Sequence, residues 1–318
     1  MDGAEGGRIK VLNPADNSLL AEVAQATGKD VDAVVDAARR VVSSRALTAM
    51  RPMDRGRMVI EMGRMLRARK EELAQLLTLD AGKRISEALD ELEGAAKYFE
   101  YNGGMADKIE GRYIPLGDGY ADYAVPVPYG VTAHIIPLNF PNNMIARSLA
   151  HADVYDEVVA RMAAVTEALK IGPGIEDSDI TPLISAQQLD RVESYAQIGI
   201  QEGARAVTGG TRLAMEKGNY IRPTVLADVT QEMRVNQEEI FGPVMTVSKF
   251  ETMEEALAIA NGTDYGLSAT VFTNDLDKAL WMTERLEAGQ AQLPVSASSQ
   301  SQNARPLGWR CRCDTALR

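Results

Sequence analysis

From residue 185 onward, stretches with helical periodicity take turns with short apolar runs, the first of which ends on a glycine turn. Residues 185–202 read as a helix. Residues 203–210 read as a strand closing on Gly209-Gly210. Val244–Phe250 then reads as a strand, 253–261 as a helix and 268–273 as a strand, and the alternation runs on to about Glu287. Helix and strand in alternation favour an α/β architecture, in which helices cover a mostly parallel sheet. Gly172-Pro173-Gly174 and Gly209-Gly210 lack the glycine spacing that cradles phosphate and read as turns.

The first hundred residues are different. Residues 9–24 read as two short strands around a turn at Asn13–Asn17. Val31, Val34, Val35, Ala38, Val41 and Val42 recur at helical spacing, and a longer helix is expected from Met53 to about Leu77. Met58, Met62 and Met65 lie on the apolar side of that second helix, where core filling is the expectation. Gly82-Lys83 punctuates, with Lys83 expected to be a solvated charge, and a third helix carries Ile85, Ala88, Leu89, Leu92, Ala96 and Phe99 on one stripe. Residues 111–137 read as strands at 113–116, 120–125 and 131–136, separated by turns. Helical propensity returns from Met144 and is high from Val154 to Leu169. From Ala291 the chain turns Ser/Gln/Asn-rich and loses both periods.

Composition removes several function classes. A chain of 318 residues has room for two domains. A formal net charge of -11 argues against nucleic acid and against anionic membrane surfaces. No apolar run approaches the ~20 residues that span a bilayer, and Met1–Gly7 does not read as a secretory signal. A cytoplasmic location is therefore expected. The cysteines are Cys311 and Cys313, which exclude a disulfide framework. The two histidines, His134 and His151, do not stand at metal spacing from them, so no metal site is expected.

Several motifs follow in a fixed order. Asn13-Pro14-Ala15 opens the chain, and Pro128-Tyr129-Gly130-Val131 precedes Ile135-Ile136-Pro137-Leu138-Asn139-Phe140-Pro141. Gly218-Asn219-Tyr220-Ile221-Arg222-Pro223-Thr224, Glu239-Ile240-Phe241-Gly242-Pro243-Val244 and Asn261-Gly262-Thr263-Asp264-Tyr265-Gly266-Leu267 come later. This set resembles the aldehyde dehydrogenase superfamily, over roughly residues 8–150 and 153–290, with Leu138 departing from the family's usual tryptophan. The resemblance implies an NAD- or NADP-dependent oxidoreductase that converts an aldehyde to a carboxylate, and a homo-oligomer. In such chemistry a thiolate attacks the aldehyde, and the oxyanion needs a neutral donor placed in advance. By resemblance Asn139 is that donor, Glu239 accepts hydrogen bonds from the nicotinamide ribose, and Phe241 packs near the ring. Taken singly each has a plainer reading: Asn139 as a helix cap, Glu239 as a surface carboxylate, Phe241 as core.

The same resemblance marks what is missing. The family's nucleophile lies in a Gly-Gln-x-Cys context and its base in Glu-Leu-Gly-Gly, and neither occurs here; nor does the Gly-x-Thr-x-x-Gly turn that meets the pyrophosphate. Ala150 runs almost directly into Asp153-Val154-Tyr155-Asp156, which resembles family sequence from well beyond the cysteine. The expected fold is α/β, aldehyde dehydrogenase-like, with the dinucleotide-binding core largely missing. The expected domains are a truncated N-terminal, cofactor-binding-type domain at 1–150 with a strand arm near 111–131, a remnant catalytic α/β half at 151–290, and an irregular tail at 291–318. Helices that lose their sheet keep exposed apolar faces. The family's last strand, used in subunit pairing, does not follow Gly289-Gln290. By resemblance the chain is an aldehyde dehydrogenase family oxidoreductase, expected to be inactive with nucleophile and base absent; the alternative is a non-catalytic remnant or an interaction or binding protein.

Overall fold

The computed structural model describes residues 7–134 and 146–293. Within these, one compact unit takes 7–13, 18–80 and 85–134, and the other takes 14–17, 81–84 and 146–293.

In the first unit, β1 (Arg8–Leu12) and β2 (Leu19–Ala24) form an antiparallel hairpin. Helix α1 (Gly28–Ser43) starts where the Asp30 carboxylate accepts from the Thr27 backbone N–H at 2.8 Å, satisfying an otherwise orphaned donor. It buries no residue: Val31, Val34, Val41 and Val42 all stay exposed. The helix expected over 53–77 is two helices, α2 (Pro52–Ala68) and α3 (Lys70–Ala81), because Arg69 leaves helical geometry at φ -114° and ψ 20°. α2 lies along α4 (Ile85–Gly104) by close backbone approach. Gly56 faces the Gly103 carbonyl, and a Cβ on Gly63 would sit 2.8 Å from the Ala96 carbonyl oxygen. Arg67 of α2 ties the pair by ion pairs to Glu93 and Glu100 of α4.

The methionines do not fill a core. Met58, Met62 and Met65 are 44–62% exposed, since the small residues on the other side of α2 make its contact. Beyond α4, β3 (Arg112–Ile114) and β4 (Asp122–Ala124) form an exposed ribbon with the Tyr113 and Tyr123 rings 5.4 Å apart. Residues 131–134, expected to open a third strand, are not in one.

The second unit is built on a four-stranded sheet in the order β5-β8-β7-β6: β5 (Ala146–His151), β6 (Arg205–Thr208), β7 (Thr224–Ala227) and β8 (Val244–Phe250). β5, β8 and β7 run parallel and β6 antiparallel. Both faces are covered. Leu226 and Val244 point to a core shared with Leu189, Val192 and Tyr195 of α6 (Ala186–Gln201). Val225, Ala227, Met245 and Val247 point to the opposite core, with Tyr155 and Val159 of α5 (Tyr155–Glu167). A sheet covered on both faces gives continuous apolar runs, and every residue of β7 is buried.

Two strands span the expected boundaries. Helical propensity after Met144 is overridden: residues 146–151 pair with 245–250 as a strand, so β5 straddles the expected division at 150/151. β10 (Gln290–Gln292) pairs in parallel with β9 (Ser268–Thr270), so ordered strand crosses the expected start of the tail at 291. Between these lie α7 (Arg234–Gln237), α8 (Met253–Asn261), capped by Thr252 Oγ1 accepting from the Glu255 N–H, and α9 (Leu276–Thr283).

Two short pieces of the N-terminal sequence complete this unit. The Asn219 N–H donates to the Pro14 carbonyl at 3.0 Å, and Leu183 N–H donates to the Asn219 carbonyl at 2.8 Å. Gly82 turns at φ +74° between Pro14 and Pro182, and Gly174 packs directly on the carbonyls of Gly82 and Lys83. Lys83, expected in solvent, is therefore 2% exposed, because the backbone on either side of it is enclosed.

Candidate functional site

The loop Glu238–Pro243 enters β8 under the control of one helix. Gln188, Arg191, Val192 and Tyr195 follow the i, i+3, i+4, i+7 spacing that lines one face of α6. Gln188 Nε2 donates to the carbonyls of Ile240 at 3.0 Å and Phe241 at 2.9 Å. Arg191 Nη2 donates to the Glu239 carbonyl at 2.8 Å. Tyr195 OH donates to the Glu238 carboxylate. Val192 fills the space that a side chain on Gly242 would need. Phe241 is held at φ +58°, a left-handed conformation that costs a bulky residue ~1–3 kcal/mol and persists only where surroundings fix it.

Gln188, Arg191, Tyr195, Glu238, Glu239 and Phe241 line an open cavity of about 330 Å³, completed by Tyr265. Its electrostatics are asymmetric. Arg234 chelates Glu238 at 2.7 Å and 3.1 Å, and with the Tyr195 hydroxyl it holds that carboxyl down to about 2. The same bond to Glu238 pushes the Tyr195 phenol up. The guanidinium groups of Arg191 and Arg234 stand 5.3 Å and 5.5 Å from the centre of the Tyr195 ring. The cavity thus offers two carboxylates, a guanidinium and three aromatic side chains, Tyr195, Phe241 and Tyr265, of which the last two are each 37% exposed.

Glu239 and Phe241 both line this cavity. Asn139 lies outside the described residues. β5 begins at Ala146 opposite Met245, so the chain enters β5 at the same end of the sheet as the Glu239–Phe241 loop enters β8. Gln188, Arg191 and Tyr195 were not singled out from sequence. The signal available was their spacing on helix 185–202, on the flank beside its buried Leu189 and Val192. Among the described residues no group of three or more His, Cys, Asp or Glu is arranged to hold a metal, and no helix is long and apolar enough to cross a membrane.

A model of the aldehyde dehydrogenase family matches residues 1–152 and 145–310. The chain belongs to that family. The two stretches meet at 145–152, where β5 stands, and the second runs on past residue 290. An aldehyde dehydrogenase of Aspergillus niger is 27% identical over 447 aligned positions, covering 96% of this chain and 90% of that protein. An alignment of that length against a chain of 318 residues spans a gap in this chain, which is an internally shortened member of the family. Solved structures agree on the fold. PnpE from Pseudomonas sp. WBC-3 superposes with a TM-score of 0.84 at 26% identity, covering 92% of this chain and 87% of PnpE. A structure of PnpE in complex with nicotinamide adenine dinucleotide gives 0.83 at 26%, covering 93% and 88%. An aldehyde dehydrogenase variant from Bacillus cereus gives 0.86 at 25%, covering 92% and 86%. The fold is the family's α/β fold, partial relative to its full-length members.

Proposed function

We propose that this family member holds the nicotinamide-ribose end of NAD or NADP at the Glu239–Phe241 cavity and does not itself complete the oxidation of an aldehyde. The observation that carries the reading is that Glu239 and Phe241 line one cavity on a sheet covered on both faces. A volume of about 330 Å³ lies at the lower end of the ~300–1,000 Å³ usual for ligand pockets, room for one nucleoside rather than a whole dinucleotide. A carboxylate such as Glu239 accepts from vicinal ribose hydroxyls, and the faces of Phe241 and Tyr265 suit a flat heterocycle. Arg191 places positive charge at the rim, suited to the phosphate that follows the ribose.

When bound, the nicotinamide supplies a hydride acceptor; what this chain supplies is orientation. An aldehyde would also need a thiolate and a base. The cysteines, Cys311 and Cys313, stand outside the family's nucleophile motif, and the base motif does not occur. Losing a nucleophile costs many orders of magnitude in rate even when binding survives. Asn139, the oxyanion donor by resemblance, would then have no oxyanion to stabilise. The reading is tested by titrating the full chain with NAD⁺ and with NADP⁺. Glu239→Gln is expected to weaken binding at least about tenfold, the scale of a hydrogen bond to a charged group. Equal affinity of wild type and Glu239→Gln would contradict it.

A further inference from the structure

We propose that Gln188 is a positioning residue, whose carboxamide fixes the loop that presents Glu239 and Phe241. The inference rests on the dinucleotide reading for its functional meaning, but its structural content stands apart from it.

Gln188 occupies the third position of α6, after the cap Ser185, whose Oγ accepts from the Gln188 backbone N–H at 3.2 Å. A Gln at this position commonly turns its side chain back to the cap residue's N–H and closes a capping box. Here the side chain turns outward. Its Nε2 bridges two successive carbonyls, Ile240 and Phe241, which are fifty-two and fifty-three residues away in sequence. These carbonyls flank the Phe241 α-carbon, the one residue of the loop at positive φ. An amide that carries two N–H groups can donate to both carbonyls at once, which a hydroxyl cannot. Arg191 extends the grip to the Glu239 carbonyl, and Val192 closes the floor under Gly242. A left-handed phenylalanine relaxes when its restraints go, and the ring and the neighbouring carboxylate would then leave the cavity together.

The experiment compares wild type, Gln188→Ala and Gln188→Glu as full chains. The glutamate keeps the shape of the side chain and loses both donors at neutral pH, so it separates the hydrogen bonds from packing. Amide hydrogen exchange is followed in the 238–242 loop and in β7 and β8, and NAD⁺ affinity is measured on the same samples. The expected result is an exchange rate about tenfold higher in the loop for both variants, from the loss of two hydrogen bonds, with β7 and β8 unchanged and NAD⁺ bound about tenfold more weakly. Loop exchange in Gln188→Glu equal to wild type overturns the proposal. So does faster exchange spread evenly over β7 and β8, which would mark a merely structural residue. If wild type binds no dinucleotide, the cofactor reading fails by itself, and the exchange comparison still decides whether Gln188 holds the loop.

Discussion

Gly242 and Val192 compete for one space: a Cβ at position 242 would fall within the side chain of Val192, which is fully buried on α6. The glycine of the Phe-Gly-Pro turn is thus required by contact with a helix, without any left-handed backbone of its own. Gly242→Ala is expected to destabilise the second unit by about 1–3 kcal/mol, the usual scale of overpacking. Val192→Ala in the same chain should recover part of that loss. Urea unfolding of the single and double variants measures both; additive losses would show that the two sites do not share the space.

Tyr220 predicts an alkaline limb. It is 2% exposed, and its hydroxyl has no hydrogen-bond partner among the described residues. Burial, aided by the charges of Glu176 and Asp16, pushes the phenol from 10.0 up to about 12. A raised value means the folded state keeps its proton longer than the unfolded one. Stability is therefore fully present below pH 10 and falls as pH rises toward 12, by at most about 3 kcal/mol. Tyr220→Phe should reduce that slope, and at neutral pH it should be neutral or stabilising, since it removes a buried polar group without a partner. Stability curves at pH 8 and pH 11 for both proteins, each expressed relative to pH 7, make the comparison; the same slope in both would assign the alkaline loss elsewhere.

The segment Ala81–Arg84 belongs to the C-terminal unit's fold. Gly174 has no room for a side chain above the carbonyls of Gly82 and Lys83, and Arg84 pairs with Asp177 at 3.4 Å. A fragment beginning at Ala146 lacks this piece and Pro14–Asn17, and it is expected to melt over a broad range instead of in one cooperative step. Gly174→Ala in the full chain should lower the melting midpoint for the same reason. A sharp transition of the fragment at the full-length midpoint would contradict the assignment.

Helix α1 predicts the opposite behaviour. Val34 is 67% exposed and α1 buries nothing, so Val34→Lys should change stability by no more than about 0.5 kcal/mol, as at ordinary surface sites. It should also reduce binding of a hydrophobic dye and slow aggregation. A loss of several kcal/mol would mean that α1 is packed in solution.

The C-terminal half was legible because its two signals agree. Val244–Phe250 and 253–261 have the bounds read from sequence, and α6 differs by one residue at each end. β5 was not legible. Ala146–His151 has no strand pattern of its own, and its conformation comes from the ladder with β8. The methionine face of α2 misled for a related reason. Helical periodicity marks an apolar side but does not say whether anything covers it, and Gly56 and Gly63 made the real contact. Lys83 shows the same limit, since a lysine after a glycine reads as surface until Gly174 closes over its backbone. Of the site, Glu239 and Phe241 could be named from their motif. Gln188, Arg191 and Tyr195 meet it only when a helix fifty residues upstream folds against the loop.

Recognition of the cofactor without turnover is tested on one preparation of the full chain. Binding of NAD⁺ and NADP⁺ is titrated to millimolar concentration, and the same sample is then given an aldehyde and assayed for reduced cofactor. Saturable binding of at least one dinucleotide is expected, with no aldehyde-dependent reduction above the buffer control. Aldehyde-dependent accumulation of NADH or NADPH, or no binding of either dinucleotide at millimolar concentration, would contradict it.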